Sequence, residues 1–458
     1  MARRLPVGGG SCLYYVICPK YRSRLIVIKV VFFHLPTMAP SRLPLEVVER
    51  IIDDVAEYYD DIINVSSIKA CALVCHSFLP LCRKHIFASV TLNAGRFPPT
   101  TDDLNHLLSN SPHLAEFIRE LDYHVIKKDF GPRRSQWLSS MFKKLVKLQK
   151  LSISYFPLSL GRKLNWMAPF ERMVLLPLLH LPMLTSICLE RIRNFPLADL
   201  AGCVNLKELE IRSLECSDDV GKFLEVLPPT PVMLEWLGIN EWNIKPVQQL
   251  CHARRPDGKP IIDFSSLRKL NAQVERLDST TELFGLCKNL HKIDIFSVSL
   301  LSFLHSFDLT LIVDRDVSHY PSRSASSLRG LFTMLKPSLP TLVDIDIRYY
   351  IDGDETYDGP LAGLCHELEK MAGQNVVETI ELLIWVWPGY DCTRWGELDD
   401  VLMGSPEGWP ALKKVSLSFH VFTSLGDDSI EALRELPMTK LVESKQVQFD
   451  FGVIEFPI

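Results

Sequence analysis

Leu206-Lys-Glu-Leu-Glu-Ile211 is one instance of a phrase, apolar-x-x-apolar-x-apolar, that recurs along the chain and decides its fold. Before it stand Ile118-Arg-Glu-Leu-Asp-Tyr123, Leu148-Gln-Lys-Leu-Ser-Ile153 and Leu184-Thr-Ser-Ile-Cys-Leu189. After it come Leu234-Glu-Trp-Leu-Gly-Ile239, Leu267-Arg-Lys-Leu-Asn-Ala272 and Leu290-His-Lys-Ile-Asp-Ile295. Leu342-Val-Asp-Ile-Asp-Ile347, Val377-Glu-Thr-Ile-Glu-Leu382 and Leu412-Lys-Lys-Val-Ser-Leu417 bring the count to ten. Start-to-start spacing runs from 22 residues (Leu184 to Leu206) to 52 (Leu290 to Leu342). The last two apolar positions are two residues apart, the period of a strand with one buried face. Short helical patterns stand ahead of most copies, as at Asp103–Leu108, Trp137–Phe142, Thr281–Leu286 and Leu361–Leu368. A strand after a helix, repeated at such spacing, predicts a solenoid in which each unit covers the apolar face of the next.

The phrase resembles the leucine-rich repeat in an irregular form, without the asparagine that a regular repeat carries further on. The resemblance implies an α/β array over about 100–455. Because strand side chains alternate, the residues between the apolar ones are expected on the inner face of the sheet. That face reads Glu208, Glu210, Arg212; Trp236, Gly238, Asn240; Lys292, Asp294, Phe296; and Asp344, Asp346, Arg348. Most are polar, as a solvated surface should be. Trp236 and Phe296 are aromatic anchors on it, of the kind that dominate binding energy. With Asn240, Arg212 and Arg348 they form the expected contact set for a protein target.

Ahead of the array, Leu43 to Leu92 has a different pattern. Leu43-Pro44 opens a helix, where proline's fixed φ and missing N–H do no harm. Val48, Ile51, Ile52 and Val55 then recur at i, i+3, i+4 and i+7. A second apolar run, Ile68 to Cys75, leads through Ser77-Phe78 to a third, Leu79 to Phe87. Three short helices can bury only part of their apolar surface on one another. The stretch resembles the F-box, closest to its fungal form: Leu-Pro-x-Glu, an apolar helix, Leu73-Val74-Cys75-His76-Ser77-Phe78, and a basic close at Arg83-Lys84-His85. Phe78 stands where many relatives have tryptophan, and the link at Tyr58–Val65 is longer than in compact members. The resemblance implies docking on the Skp-type adaptor of a cullin–RING ubiquitin ligase. Leu43, Pro44, Val48, Ile51, Ile52, Leu73, Val74, Cys75 and Phe78 are the expected adaptor contacts.

Composition bounds the alternatives. The 458 residues are 47% hydrophobic and 23% charged, the balance of a folded chain with a sizeable core. A net charge of −5 gives no basic field for nucleic acid. Twelve irregularly spaced cysteines read as reduced thiols of a cytoplasmic or nuclear protein. Leu25–Leu35 is apolar but short for a bilayer and is interrupted by Lys29, so a membrane is not expected as a partner. Translation is expected to start at Met38, which leaves 1–40 an unassigned extension or loose tail. Cys71, Cys75, His76, Cys82 and His85 imitate a metal cluster, but they fall on positions of the helical core. No motif organises a catalytic residue, a metal site or a cofactor.

The fold class expected is α+β: a trihelical F-box at 41–90, then an irregular α/β leucine-rich-repeat solenoid at 100–455. The resemblance implies a non-enzymatic substrate-recognition subunit of an SCF-type ligase, its array binding an unknown protein target. A repeat scaffold without a ligase role is the alternative.

Overall fold

The computed structural model describes residues 2–7, 11–16, 44–57, 61–73, 77–93, 99–155, 163–217, 228–240, 245–273, 281–297, 328, 330–351, 360–386, 395–404, 407–422, 433–434 and 438–456. The chain divides into two compact units, Met1–Ile86 and Phe87–Ile458.

In the first unit, β1 (Ala2–Val7) pairs antiparallel with β2 (Ser11–Val16), within the segment expected as an unassigned tail. Three helices follow: α1 (Leu45–Glu57), α2 (Asp61–Ala72) and α3 (Phe78–Ile86). The Pro44 carbonyl accepts from the N–H groups of Val47 and Val48, which starts α1 one residue after the proline. Among the described residues, each helix gives one side chain to a small buried core, Ile52, Ile68 and Cys82, with Val48, Val55 and Phe78 packed around it. Lys84 of α3 holds Glu49 and Asp53 of α1 at 2.8 Å each, and His85 meets Asp53 at 2.7 Å. The Lys84 hydrogen bond, aided by His85, holds the Asp53 carboxyl below its usual range. Because α2 begins at Asp61, most of the Tyr58–Val65 link is helix rather than loop.

The second unit is built on one parallel sheet of twelve strands. In chain order these are β3 (Ser89–Leu92), β4 (Glu120–Val125) and β5 (Lys150–Tyr155). Two short strands, β6 (Leu164–Asn165) and β8 (Ile192–Arg193), pair with each other on either side of the sheet strand β7 (Ser186–Glu190). After β9 (Glu208–Arg212), another short pair, β10 (Val232–Met233) and β12 (Ile262–Asp263), flanks the sheet strand β11 (Trp236–Asn240). The sheet continues with β13 (Lys269–Gln273), β14 (Lys292–Ser297), β15 (Asp344–Ile351), β16 (Thr379–Val386), β17 (Lys414–Phe422) and β18 (Gln448–Phe456). Each sheet strand lies beside the one before it in the chain. Helices at Thr101–Asn110, Pro132–Phe142, Pro169–Leu179, Thr281–Leu286 and Pro360–Met371 fall between strands, and they contain the helical patterns read from the sequence. This is an α/β repeat solenoid.

Two strands more than the phrase predicts enter the sheet, and they correct the boundaries. Ser89–Leu92 belongs to the array and not to the helical unit, so the array starts at Phe87 rather than near 100, and the helices end at Ile86 rather than 90. The opening position of every predicted copy is buried, from Ile118 at 0% exposure to Leu412 at 6%. Strand burial alternates, as in β16, so one face of the sheet joins the helices in a continuous core while the side chains of the other face stay partly exposed.

A ladder of shared carbonyls joins the coils just before each strand. The Ala88 oxygen accepts from the N–H groups of Arg119 and Glu120, and the Arg119 oxygen from those of Gln149 and Lys150. The same step repeats through Gln149, Thr185, Lys207, Glu235, Arg268, His291, Val343 and Glu378, until Gln448 donates to Lys413. Asn205 and Asn289 reinforce it by donating side-chain hydrogen bonds to Pro182 and Ser265 of the preceding coil, each 2.7 Å. Cys82, Cys203, Cys251, Cys287 and Cys365 are buried and not joined in disulfides.

Candidate functional site

On the face opposite the core, the sheet register sets side chains in rows that cross the strands. One row runs through Glu208, Trp236, Lys269, Lys292 and Asp344, and the next through Glu210, Gly238, Asn271, Asp294 and Asp346. A third passes through Arg212, Asn240, Phe296 and Arg348. Between β9 and β15 lies a hollow of about 270 Å³, lined by Glu210, Arg212, Gly238, Asn240, Asn271, Asp294, Phe296 and Arg348 among others. Four of the five residues expected to contact a target, Arg212, Asn240, Phe296 and Arg348, thus come together. Trp236 does not line the hollow; its indole lies against Gly238.

Local chemistry shapes the hollow. Glycine at 238 lowers its floor where every other position of that row carries a side chain. Arg212 grips Glu210 at 2.6 Å and 2.7 Å, and this pair keeps the guanidinium protonated although burial works against it. Arg348 holds the nearly buried Asp346 at 3.0 Å, and that hydrogen bond raises the arginine's pKa. Asp294, 9% exposed, has Lys269 at 3.4 Å and Lys292 at 3.6 Å. Its buried Oδ1 has no hydrogen-bond donor among the described residues.

Phe296 also begins an aromatic run toward the β18 edge. Its ring meets Trp385 edge-on at 5.8 Å, Trp385 meets His420 at 5.3 Å, and His420 meets Phe456 at 5.0 Å. Burial in this run lowers the His420 pKa below its ordinary 6.5. The sequence phrase missed Trp385 and His420 because it ends at Leu382 and Leu417, whereas β16 and β17 continue past it. At the other end of the middle row, burial and then the neighbouring Glu210 push the Cys188 thiol up to about 12. Such a surface offers hydrogen-bonding groups and apolar area. Among the described residues, no group of three His, Cys, Asp or Glu is placed to hold a metal ion.

The helical unit offers a second surface. Ile51 is 51% and Leu73 88% exposed, Pro44 is exposed, and Val48 and Phe78 are half-buried. Leu43, Val74 and Cys75 lie outside the described residues. Ile52 is 2% exposed and belongs to the unit's own core, which corrects its assignment as an adaptor contact. The sequence stripe therefore splits: Val48, Ile52 and Val55 pack inward, while Ile51 faces out together with Val47, 41% exposed and one turn earlier. Val47–Ile51 and Val48–Ile52 are both i, i+4 pairs, so spacing along α1 alone does not tell the inward stripe from the outward one.

No family model matches the chain, and no curated protein matches it. Among solved structures, the crystal structure of an internalin (inlF) from Listeria monocytogenes str. 4b F2365 aligns over 88% of this chain and 92% of that chain. The identity is 10% and the TM-score 0.28.

Proposed function

We propose that this chain is the substrate-recognition subunit of an SCF-type cullin–RING ubiquitin ligase. In this reading the helical unit docks on a Skp-type adaptor and the repeat array holds the target protein. The observation that carries it is the outward apolar surface of the helical unit, Val47, Ile51 and Leu73, on a core that holds three buried side chains among the described residues. Burying such a side chain fully against a partner contributes about 1.5–3 kcal/mol. That surface lies within the stretch whose residues resemble the F-box. The chain would do no chemistry itself; it would raise the effective concentration of the target's lysines near the conjugating enzyme. Such a subunit works in the cytoplasm or nucleus. Among the described residues, no helix is long and apolar enough to cross a membrane.

The test is co-expression of the full chain with a Skp-type adaptor, followed by size exclusion. A stoichiometric complex is expected, and Ile51→Glu/Leu73→Glu should abolish it while leaving the helical signal unchanged, since neither side chain is in the core. An adaptor that elutes apart from the wild-type chain would leave a repeat scaffold with a helical N-terminal unit.

A further inference from the structure

We infer that the hollow between β9 and β15 recognises an uncharged, unphosphorylated stretch of extended peptide, through amide hydrogen bonds and one apolar side chain seated on Phe296. This inference rests on the reading of the array as the target-holding half of the chain.

The ionic pairing of the hollow argues against a charged ligand. A phosphate carries a charge of about −1.5 to −2 and is taken by arginines that converge on it. Here Arg212 is committed to Glu210 and Arg348 to Asp346. The two arginines also stand four strand spacings apart, about 19 Å, too far to clamp one phosphate. A cationic side chain fares no better, because Lys269 and Lys292 already flank the Asp294 carboxylate.

Hydrogen-bonding capacity is what the hollow has left to offer. Asp294 Oδ1 is a buried acceptor with no hydrogen-bond donor among the described residues. Lys292 Nζ, 3.6 Å from that oxygen, balances its charge but makes no hydrogen bond to it, so a ligand N–H would complete it. Asn240 and Asn271 are exposed on neighbouring strands, and no side-chain hydrogen bond engages either among the described residues. A side-chain amide both donates and accepts, so the pair matches the alternating N–H and C=O of a peptide. Phe296, half-buried, supplies an apolar wall at the same place. The span of about 19 Å corresponds to five or six extended residues at about 3.3 Å each.

Immobilised full-length protein is offered a degenerate synthetic decapeptide library in which half the serines are phosphorylated, and the retained pool is sequenced. Asparagine, glutamine and apolar residues should be enriched, with no gain in phosphoserine, Asp, Glu, Lys or Arg. Asn271→Trp, which fills the hollow, should cut recovery at least about tenfold, a step of one decade in affinity. Asn240→Ala/Asn271→Ala should act in the same direction with an unchanged melting temperature. Enrichment of phosphoserine or of either charge, recovery that Asn271→Trp leaves intact, or no enriched family at all would each overturn the inference. So would neutral glycans, tested on an array, that bind in place of peptides and are lost in Asn271→Trp. Adaptor binding is read separately by size exclusion. A failed selection with the adaptor complex intact sinks this inference alone, and the reverse result sinks the ligase reading alone.

Discussion

Trp236 lies against Gly238 so closely that a Cβ on the glycine would stand 2.8 Å from the indole Cη2 and 3.0 Å from Glu210 Cγ. Gly238→Ala therefore forces the indole, and with it the Glu210–Arg212 pair, to move. Overpacking of this kind costs about 1–3 kcal/mol, offset by several tenths that alanine gains from a stiffer unfolded chain. A net loss of about 1 kcal/mol is expected in urea denaturation. An alanine variant as stable as the parent would mean that Trp236 turns away at no cost.

Adjacent isoleucines on α1 should behave oppositely. Ile52, 2% exposed, fills the core of the helical unit, and Ile52→Ala should cost about 2–5 kcal/mol there. Ile51, 51% exposed, should change stability by less than about 0.5 kcal/mol when replaced by alanine. Limited proteolysis read by mass spectrometry distinguishes them: rapid cleavage between residues 45 and 86 is expected for Ile52→Ala only. Equal protection of both variants would contradict the division of the helix into two stripes.

Near the start of the array, the fully buried Asp129 gathers three elements. It accepts from Tyr123 Oη at 2.9 Å, Asn93 Nδ2 at 3.0 Å and Thr101 Oγ1 at 3.1 Å, with Arg134 at 3.4 Å. Asn93 sits at φ 61°, in the left-handed region, so its side chain's two hydrogen bonds also hold a strained turn. Asp129→Ala strands these donors and should destabilise by about 3–5 kcal/mol. Tyr123→Phe removes one bond and should cost about 1 kcal/mol. Thermal denaturation of the two variants checks the order, and a Tyr123 loss equal to the Asp129 loss would refute it.

Glu367 gives the array an acid-sensitive point. It is 2% exposed; burial pushes its pKa up, but hydrogen bonds from Lys370 and the Phe332 N–H outweigh this and hold it below the ordinary 4.5. A carboxyl with a lowered folded pKa contributes stability that is complete above 4.5 and disappears as pH falls through the folded value. Melting temperatures of the parent should therefore fall more steeply below pH 4.5 than those of Glu367→Gln. Parallel curves for the two proteins would rule out this carboxyl as a source of acid lability.

The amphipathic phrase made the solenoid legible because its first position must be buried in every coil, and no side-chain detail is needed to see that. Its two misses have separate causes. Phe87-Ala-Ser-Val-Thr-Leu92 fits the phrase but directly follows a helical segment, and in the sequence it reads as that segment's close. Gln446-Val-Gln-Phe-Asp-Phe451 has a polar residue in first place, and Val447 takes the buried role beside it. Alternation alone placed Arg212, Asn240, Phe296 and Arg348 on one face. The depth of the hollow was not legible, because it depends on glycine at one register position and on which charges neighbouring coils pair. Likewise, the inward turn of Ile52 depends on where α2 and α3 pack, which α1 does not encode by itself.

The carbonyls that step from Ala88 to Lys413 also bear on how this surface is inherited. At this step each coil up to β17 meets the next through one oxygen and two N–H groups, and nothing in that contact depends on the length of chain between them. The 22 residues from Leu184 to Leu206 and the 52 from Leu290 to Leu342 end on the same arrangement. Deletion or duplication of a whole coil leaves the remaining contacts in register, whereas a slip of one residue turns a row of leucines outward. Descent can therefore widen or narrow this face of the sheet only in whole-coil increments, with each increment bringing a new column of side chains to select upon.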